Sequence, residues 1–170
     1  MPEKVNDLTF DEVKARVKKA IQSLEENDRY LFEHNASEHT LMHRFAVWLE
    51  VEFLDWSVDC EYNLSPPDNR GEIHGQYATV VSRRRSQPED ESLSVHPDIV
   101  VHRREFNENL MVIEVRKSGL ADEVEFDAFK LKAYKHDPYL GYKFALLIRF
   151  QKPGLENNGI IDRKLSRWID

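Results

Sequence analysis

The chain has 170 residues, of which 41% are hydrophobic and 32% charged, with a formal net charge of −7. That length suits one domain with a real core, and the composition is too apolar for a disordered chain. Apolar runs reach about five residues against the roughly 20 that a spanning helix needs, so no membrane-spanning helix is expected. The single cysteine, Cys60, excludes an internal disulfide framework and a zinc site built on several thiolates. With no apolar leader-like run in residues 1–30, a reducing, cytoplasmic location is expected.

In chain order, residues 9–26 read as a helix. Thr9 and Glu12 have capping-box spacing, and Val13, Val17, Ile21 and Leu24 follow at helical intervals. Its apolar stripe is thin, which places it on the surface. A second helix over 37–53 starts at the N-cap candidate Ser37 and carries Leu41, Phe45, Trp48 and Leu49 on one stripe. Glu38 lies on that same stripe. Residues 56–63 alternate, with Val58, Cys60 and Tyr62 on one face, as a strand does. Residues 64–95 are turn-rich and charged, include Arg83, Arg84 and Arg85, and leave room for a short strand over 76–82. A connection of this length reads as a functional loop, as a partly disordered one, or as both. Two apolar strands follow, 97–102 and 110–116, joined by a polar hairpin-like turn. Asp122 is the expected cap of a helix to His136, with Val124, Phe126, Phe129, Ala133 and Tyr134 as its apolar contacts. Residues 142–150 form a last strand with Phe144, Leu146, Ile148 and Phe150 on one face. The tail 160–169 is short, amphipathic and untyped. The pattern gives a single α/β (or α+β) domain, its four-stranded mixed sheet packed against helices in the order α-β-β-β-α-β, with an extra N-terminal helix.

Chemistry concentrates on two strands. Asp98 begins one. Glu114 interrupts the other, flanked by Ile113 and Val115, where a carboxylate must be paired, protonated or bound to a cation. Antiparallel pairing would bring Asp98 and Glu114 together at one end of the pair. A divalent cation relieves their repulsion, and oxygen ligands suit Mg²⁺ or Mn²⁺. The strand period puts Arg116 on the face of Glu114 and turns Lys117 away.

Pro97-Asp98, followed after an apolar hairpin by Glu114-Val115-Arg116, resembles the motif of the PD-(D/E)xK (restriction-endonuclease-like) nuclease superfamily. The segments around Glu38, Val58, Pro97 and Asp127 look like those of a group of uncharacterised bacterial members. The resemblance covers residues 37–150, about two-thirds of the chain. It implies metal-dependent hydrolysis of phosphodiester bonds in nucleic acid, DNA ahead of RNA. Asp98 and Glu114 would hold Mg²⁺ or Mn²⁺, with the Val115 carbonyl as a further ligand and Glu38 completing or assisting the site. Nucleases of this kind that cut both strands often dimerise.

One departure stands in the motif. Arg116 occupies the lysine position, and a guanidinium cannot serve as a general base. Arg116 ranks first for the lysine's role by position, Lys130 on the following helix second, and Lys117 third. The alternative is a catalytically inactive member of the same fold that binds nucleic acid or protein. Lys130, Lys132 and Lys135 with Arg116 could track a phosphate backbone or merely form a solvated helix face. His39 and His43 read as surface or capping histidines, His96 and His102 as ordinary hydrogen-bonding groups, and Cys60 as a buried, inert thiol.

Overall fold

The computed structural model describes residues 7–63, 78–82, 91–104, 106, 108–117, 121–154, 158–164 and 166–170. Its elements are α1 (Phe10–Glu33), α2 (Glu38–Glu52), β1 (Ser57–Cys60), β2 (Ala78–Ser82), β3 (Glu91–Val95), β4 (Ile99–Arg103), β5 (Glu108–Arg116), α3 (Ala121–His136), β6 (Phe144–Arg149) and β7 (Arg167–Ile169). The chain is of mixed α/β class, with three helices and a five-stranded sheet ordered β1-β4-β5-β6-β7 among the described residues. Its pairs are antiparallel except β5–β6, which is parallel and bridged by α3. The expected sheet had four strands. The fifth is β7, from the untyped tail, which pairs with β6 through Ala145↔Ile169 and its neighbours.

Helix α1 starts as its sequence indicates: the Thr9 side chain accepts from the Glu12 N–H, and the Glu12 carboxylate accepts from the Thr9 N–H at 2.8 Å. It runs to Glu33, seven residues past the expected end, supported by ion pairs from Arg29 to Glu25 and Glu33. Asn35, at φ 60°, turns the chain into α2. The helix is not a surface element. Val13, Val17, Ala20 and Leu24 are essentially inaccessible, because the thin stripe that includes Ala20 lies against α2. Asp28 pins the pair, accepting from Arg44 at 3.0 and 3.2 Å and from the Trp48 indole at 2.6 Å.

Two apolar layers sandwich the sheet. Ile99, Val101, Met111, Ile113, Val115, Leu146 and Ile148 face α1 and α2, while Val100, Val112, Ala145 and Leu147 pack with α3. The alternation on β6 follows the expected face. Further details differ from the sequence reading. The first strand is only Ser57–Cys60, ended by Glu61 at φ 49°. Helix α3 begins at Ala121, so Asp122 lies inside its first turn rather than capping it. Its buried stripe is Val124, Ala128, Leu131 and Tyr134, and Phe129 is 47% exposed. Within 64–95, the short strand for which 76–82 left room is β2, and it pairs antiparallel with β3, which the sequence reading does not include. Arg83, Arg84 and Arg85 lie outside the described residues.

Candidate active site

The register of β4 against β5 builds the site. Ile99 pairs with Ile113 and Val100 with Val112, which sets Asp98 opposite Glu114. The bulge in this pair falls between Val101 and His102, at the far end, so the alignment near Asp98 is undisturbed. Asp98 accepts a hydrogen bond from the Val115 N–H at 2.8 Å. Val115, expected as a carbonyl ligand, thus meets the site through its amide.

Glu114 is 1% exposed and points with Val112 toward α3. There Lys130 reaches it, Nζ to Oε2 at 2.5 Å, and lies 3.4 Å from Asp127. Asp127 and Lys130 are three apart on one helix face, and Tyr134 follows four residues on. The other Glu114 oxygen, Oε1, is buried and receives no donor among the described residues, and the buried Tyr134 hydroxyl is also without a partner there.

Arg116 shares the face of Glu114, as the strand period requires. It does not extend into open space. Its guanidinium forms a two-pronged bond to Asp127, Nε and Nη2 each at 2.8 Å. Lys117 turns the opposite way and donates to the carbonyls of Asn35 at 3.1 Å and Ala36 at 2.5 Å. Its backbone N–H donates to Glu38 Oε2 at 2.7 Å. Glu38, in the first turn of α2, therefore meets the end of β5 just beyond the motif. Of the three candidates for the lysine's role, only Lys130 touches Glu114 among the described contacts.

Burial, followed by the neighbouring Asp98 charge, pushes the Glu114 carboxyl well above its ordinary range against the pull of Lys130. Burial also raises Asp98, opposed by the Val115 N–H, Lys130 and a hydrogen bond with Glu114. For Lys130 burial is the largest single influence and acts downward. The Glu114 charge and hydrogen bond, with Asp127 and Asp98, outweigh it and leave the ammonium raised. The site thus holds a firm cation beside two carboxyls that resist carrying two negative charges without a further cation.

Asp127 and Tyr134 are not expected as site residues: the sequence reading places Asp127 in a family-like segment and Tyr134 among the apolar contacts of the helix. Asp127 is fully buried and joins Arg116 to Lys130. Its spacing signal is the three-residue interval to Lys130, which a solvated helix face displays equally well. Of the basic residues that could form a phosphate-tracking patch or a solvated helix face, Arg116 and Lys130 are held in ion pairs, and Lys135 donates to the Ile169 carbonyl. His39, His43 and His96 are exposed. His102 is buried against Asp59 at 2.8 Å, on the β1 side of the sheet. Cys60 is partly buried, and burial lifts its thiol to about 11, which keeps it protonated and unreactive.

No protein-family model, curated protein or solved structure matches this chain. Among the described residues no helix is long and apolar enough to cross a membrane.

Proposed function

We propose that this chain is a restriction-endonuclease-like, PD-(D/E)xK-type nuclease that hydrolyses phosphodiester bonds, in DNA ahead of RNA, with Mg²⁺ or Mn²⁺. The observation that carries this reading is the meeting of Asp98, Glu114 and Lys130 at one end of the β4–β5 pair.

The residues fit a hard divalent ion. Glu114 Oε1 is a buried oxygen lacking a donor among the described residues, beside a second carboxyl whose charge it resists. Among the described residues no three His, Cys, Asp or Glu side chains converge on one point. Mg²⁺ commonly takes only one or two carboxylates and fills its remaining positions with water and substrate phosphate. Asp98 and Glu114 would hold the ion, which when bound would polarise the phosphate and lower the pKa of a coordinated water.

The chain's own residues do the rest. Lys130 holds a positive charge beside Glu114, suited to stabilising charge that builds on the phosphate oxygens. It takes the role that the motif assigns to lysine, because Arg116 is occupied by Asp127. Asp127 in turn orients Lys130. Glu38 assists by fixing the end of β5 through the Lys117 amide.

The test is cleavage of labelled DNA and RNA with Mg²⁺ or Mn²⁺. Wild type is expected to cut, and Asp98→Ala and Lys130→Met to lose at least 100-fold of the rate, in line with ~10²–10³ for a lost electrostatic stabiliser. Equal cutting by wild type and Asp98→Ala would mark the activity as a contaminant. The Arg116–Asp127 clamp favours a second reading, a non-catalytic binding module in which the motif's lysine position has become structural. It predicts nucleic-acid or protein binding with no turnover in any divalent metal.

A further inference from the structure

At the carboxyl ends of β5 and β6, on the side of the sheet away from α3, lies a cavity of about 300 Å³. Its floor is apolar, formed by Phe32, Leu41 and Phe150, and its rim carries Asn35, Lys117, Gln151 and Lys152. The region beyond the carboxyl ends of strands is where open α/β sheets commonly receive ligands. Lys117 follows Glu114 by three residues, about 10 Å along an extended strand at ~3.3 Å per residue.

The rim is cationic and held in place. The Lys117 ammonium is fixed by two neutral carbonyls, Asn35 and Ala36, rather than by a carboxylate. Asn35 can present its carbonyl because the chain turns there at φ 60°. Lys152 is exposed, and neither lysine has a carboxylate within 4 Å among the described residues. Gln151 is anchored on both sides, its N–H on the Ile160 carbonyl and its amide on the Gly159 carbonyl at 2.9 Å. Other cations near the strand ends are in contact with carboxyl groups: Arg116 with Asp127, Lys130 with Glu114, and Arg29 with Glu25 and Glu33. Two cations whose ammonium groups have no carboxylate partner among the described residues, set over a low-dielectric floor, focus an attractive field on an anion.

We propose that this cavity binds a backbone phosphate of the polynucleotide whose cleavage is assigned to Asp98 and Glu114. The occupant rests on the nuclease reading; the phosphate chemistry of the cavity does not. Lys117 and Lys152 supply charge, and Gln151 supplies an amide donor. A strand seated there would cross the carboxyl ends of β5 and β6.

The experiment is fluorescence anisotropy with a labelled single-stranded DNA in Ca²⁺, over a series of salt concentrations, with pyrophosphate titrated by calorimetry in parallel. Lys117→Gln/Lys152→Gln is expected to weaken DNA binding about tenfold and to reduce the slope of log K against log salt by about 1.4, since each single-strand phosphate contact contributes roughly 0.7. Lys152→Gln alone, at an exposed position that does not support the α1–α2 turn, should take away about half of that slope change. An unchanged slope in both variants overturns the proposal. Pyrophosphate binding that is lost in the double variant, with no DNA binding by wild type, overturns the polynucleotide as occupant and leaves a site for small phosphates. Absence of both ligands from wild type overturns the site altogether. Mn²⁺ titration of wild type and of Asp98→Ala/Glu114→Ala reports on the carboxylates alone, so failure of the nuclease reading appears there and not in the salt slope.

Discussion

Glu114 and Lys130 form a buried pair whose members depend unequally on each other. Glu114 is 1% exposed, and Lys130 is its nearest cation at 2.5 Å. Removing the cation strands a carboxyl in the core. Lys130→Met is therefore expected to cost about 3 kcal/mol, and adding Glu114→Gln to recover most of that loss, by denaturant unfolding at pH 7. Additive losses in the double variant would show the two side chains to be uncoupled. The pH dependence follows from the direction of the Glu114 shift. Its folded-state pKa lies above the ordinary 4.5, so the native chain binds the extra proton above that pH. The stability Glu114 contributes is present below 4.5 and lost as pH rises through the folded value. Glu114→Gln should gain on wild type between pH 4 and pH 8, and a constant difference would contradict the shift. Asp98 and Glu114 were legible because strand sequences seldom place a carboxylate between Ile113 and Val115. Asp127 was not, since an aspartate inside a charged helix looks the same whether it faces water or a guanidinium.

The α1–α2 hairpin shows what periodicity can and cannot convey. Both N-caps, Thr9 and Ser37, could be read from residue type and spacing alone, because a cap is a local hydrogen bond. The length of α1 could not. No glycine or proline stops it near residue 26, and its final turns are held by Arg29 and by Phe32, which is 3% exposed. Its burial was missed for a related reason: Ala20 adds little to an apolar stripe yet permits close approach to α2. Asp28 joins the two helices through three hydrogen bonds from Arg44 and Trp48. Asp28→Ala should lower stability by about 2 kcal/mol, since it leaves the indole and guanidinium donors without their acceptor. A loss below about 0.5 kcal/mol in denaturant unfolding would show that solvent replaces the carboxylate.

At the level of the whole molecule, the mixed sheet and the crossover through α3 were legible because β1 alternates and β4, β5 and β6 are apolar runs bounded by polar turns. β3 and β7 were not, being short segments whose partners are set by tertiary packing rather than by their own pattern. The proposed metal site spans three elements, with Asp98 before β4, Glu114 on β5 and Lys130 on α3. Cation binding should therefore stabilise the entire fold. Mn²⁺ at 100 times its dissociation constant is expected to add about 2.7 kcal/mol to wild type and nothing to Asp98→Ala/Glu114→Ala. Equal melting temperatures with and without Mn²⁺ in wild type would remove the two-carboxylate site.

The sheet also decides how two copies could meet. Its outer strands are four residues (Ser57–Cys60) and three residues (Arg167–Ile169) long, whereas the strands between them run to five, nine and six. A second chain adding itself along either border would find too few free amides and carbonyls for a stable ladder. Blunt borders of this kind guard a β-rich protein against unwanted fibre growth. Among the described residues they leave helices and loops, rather than strand addition, as the surfaces through which two copies could meet.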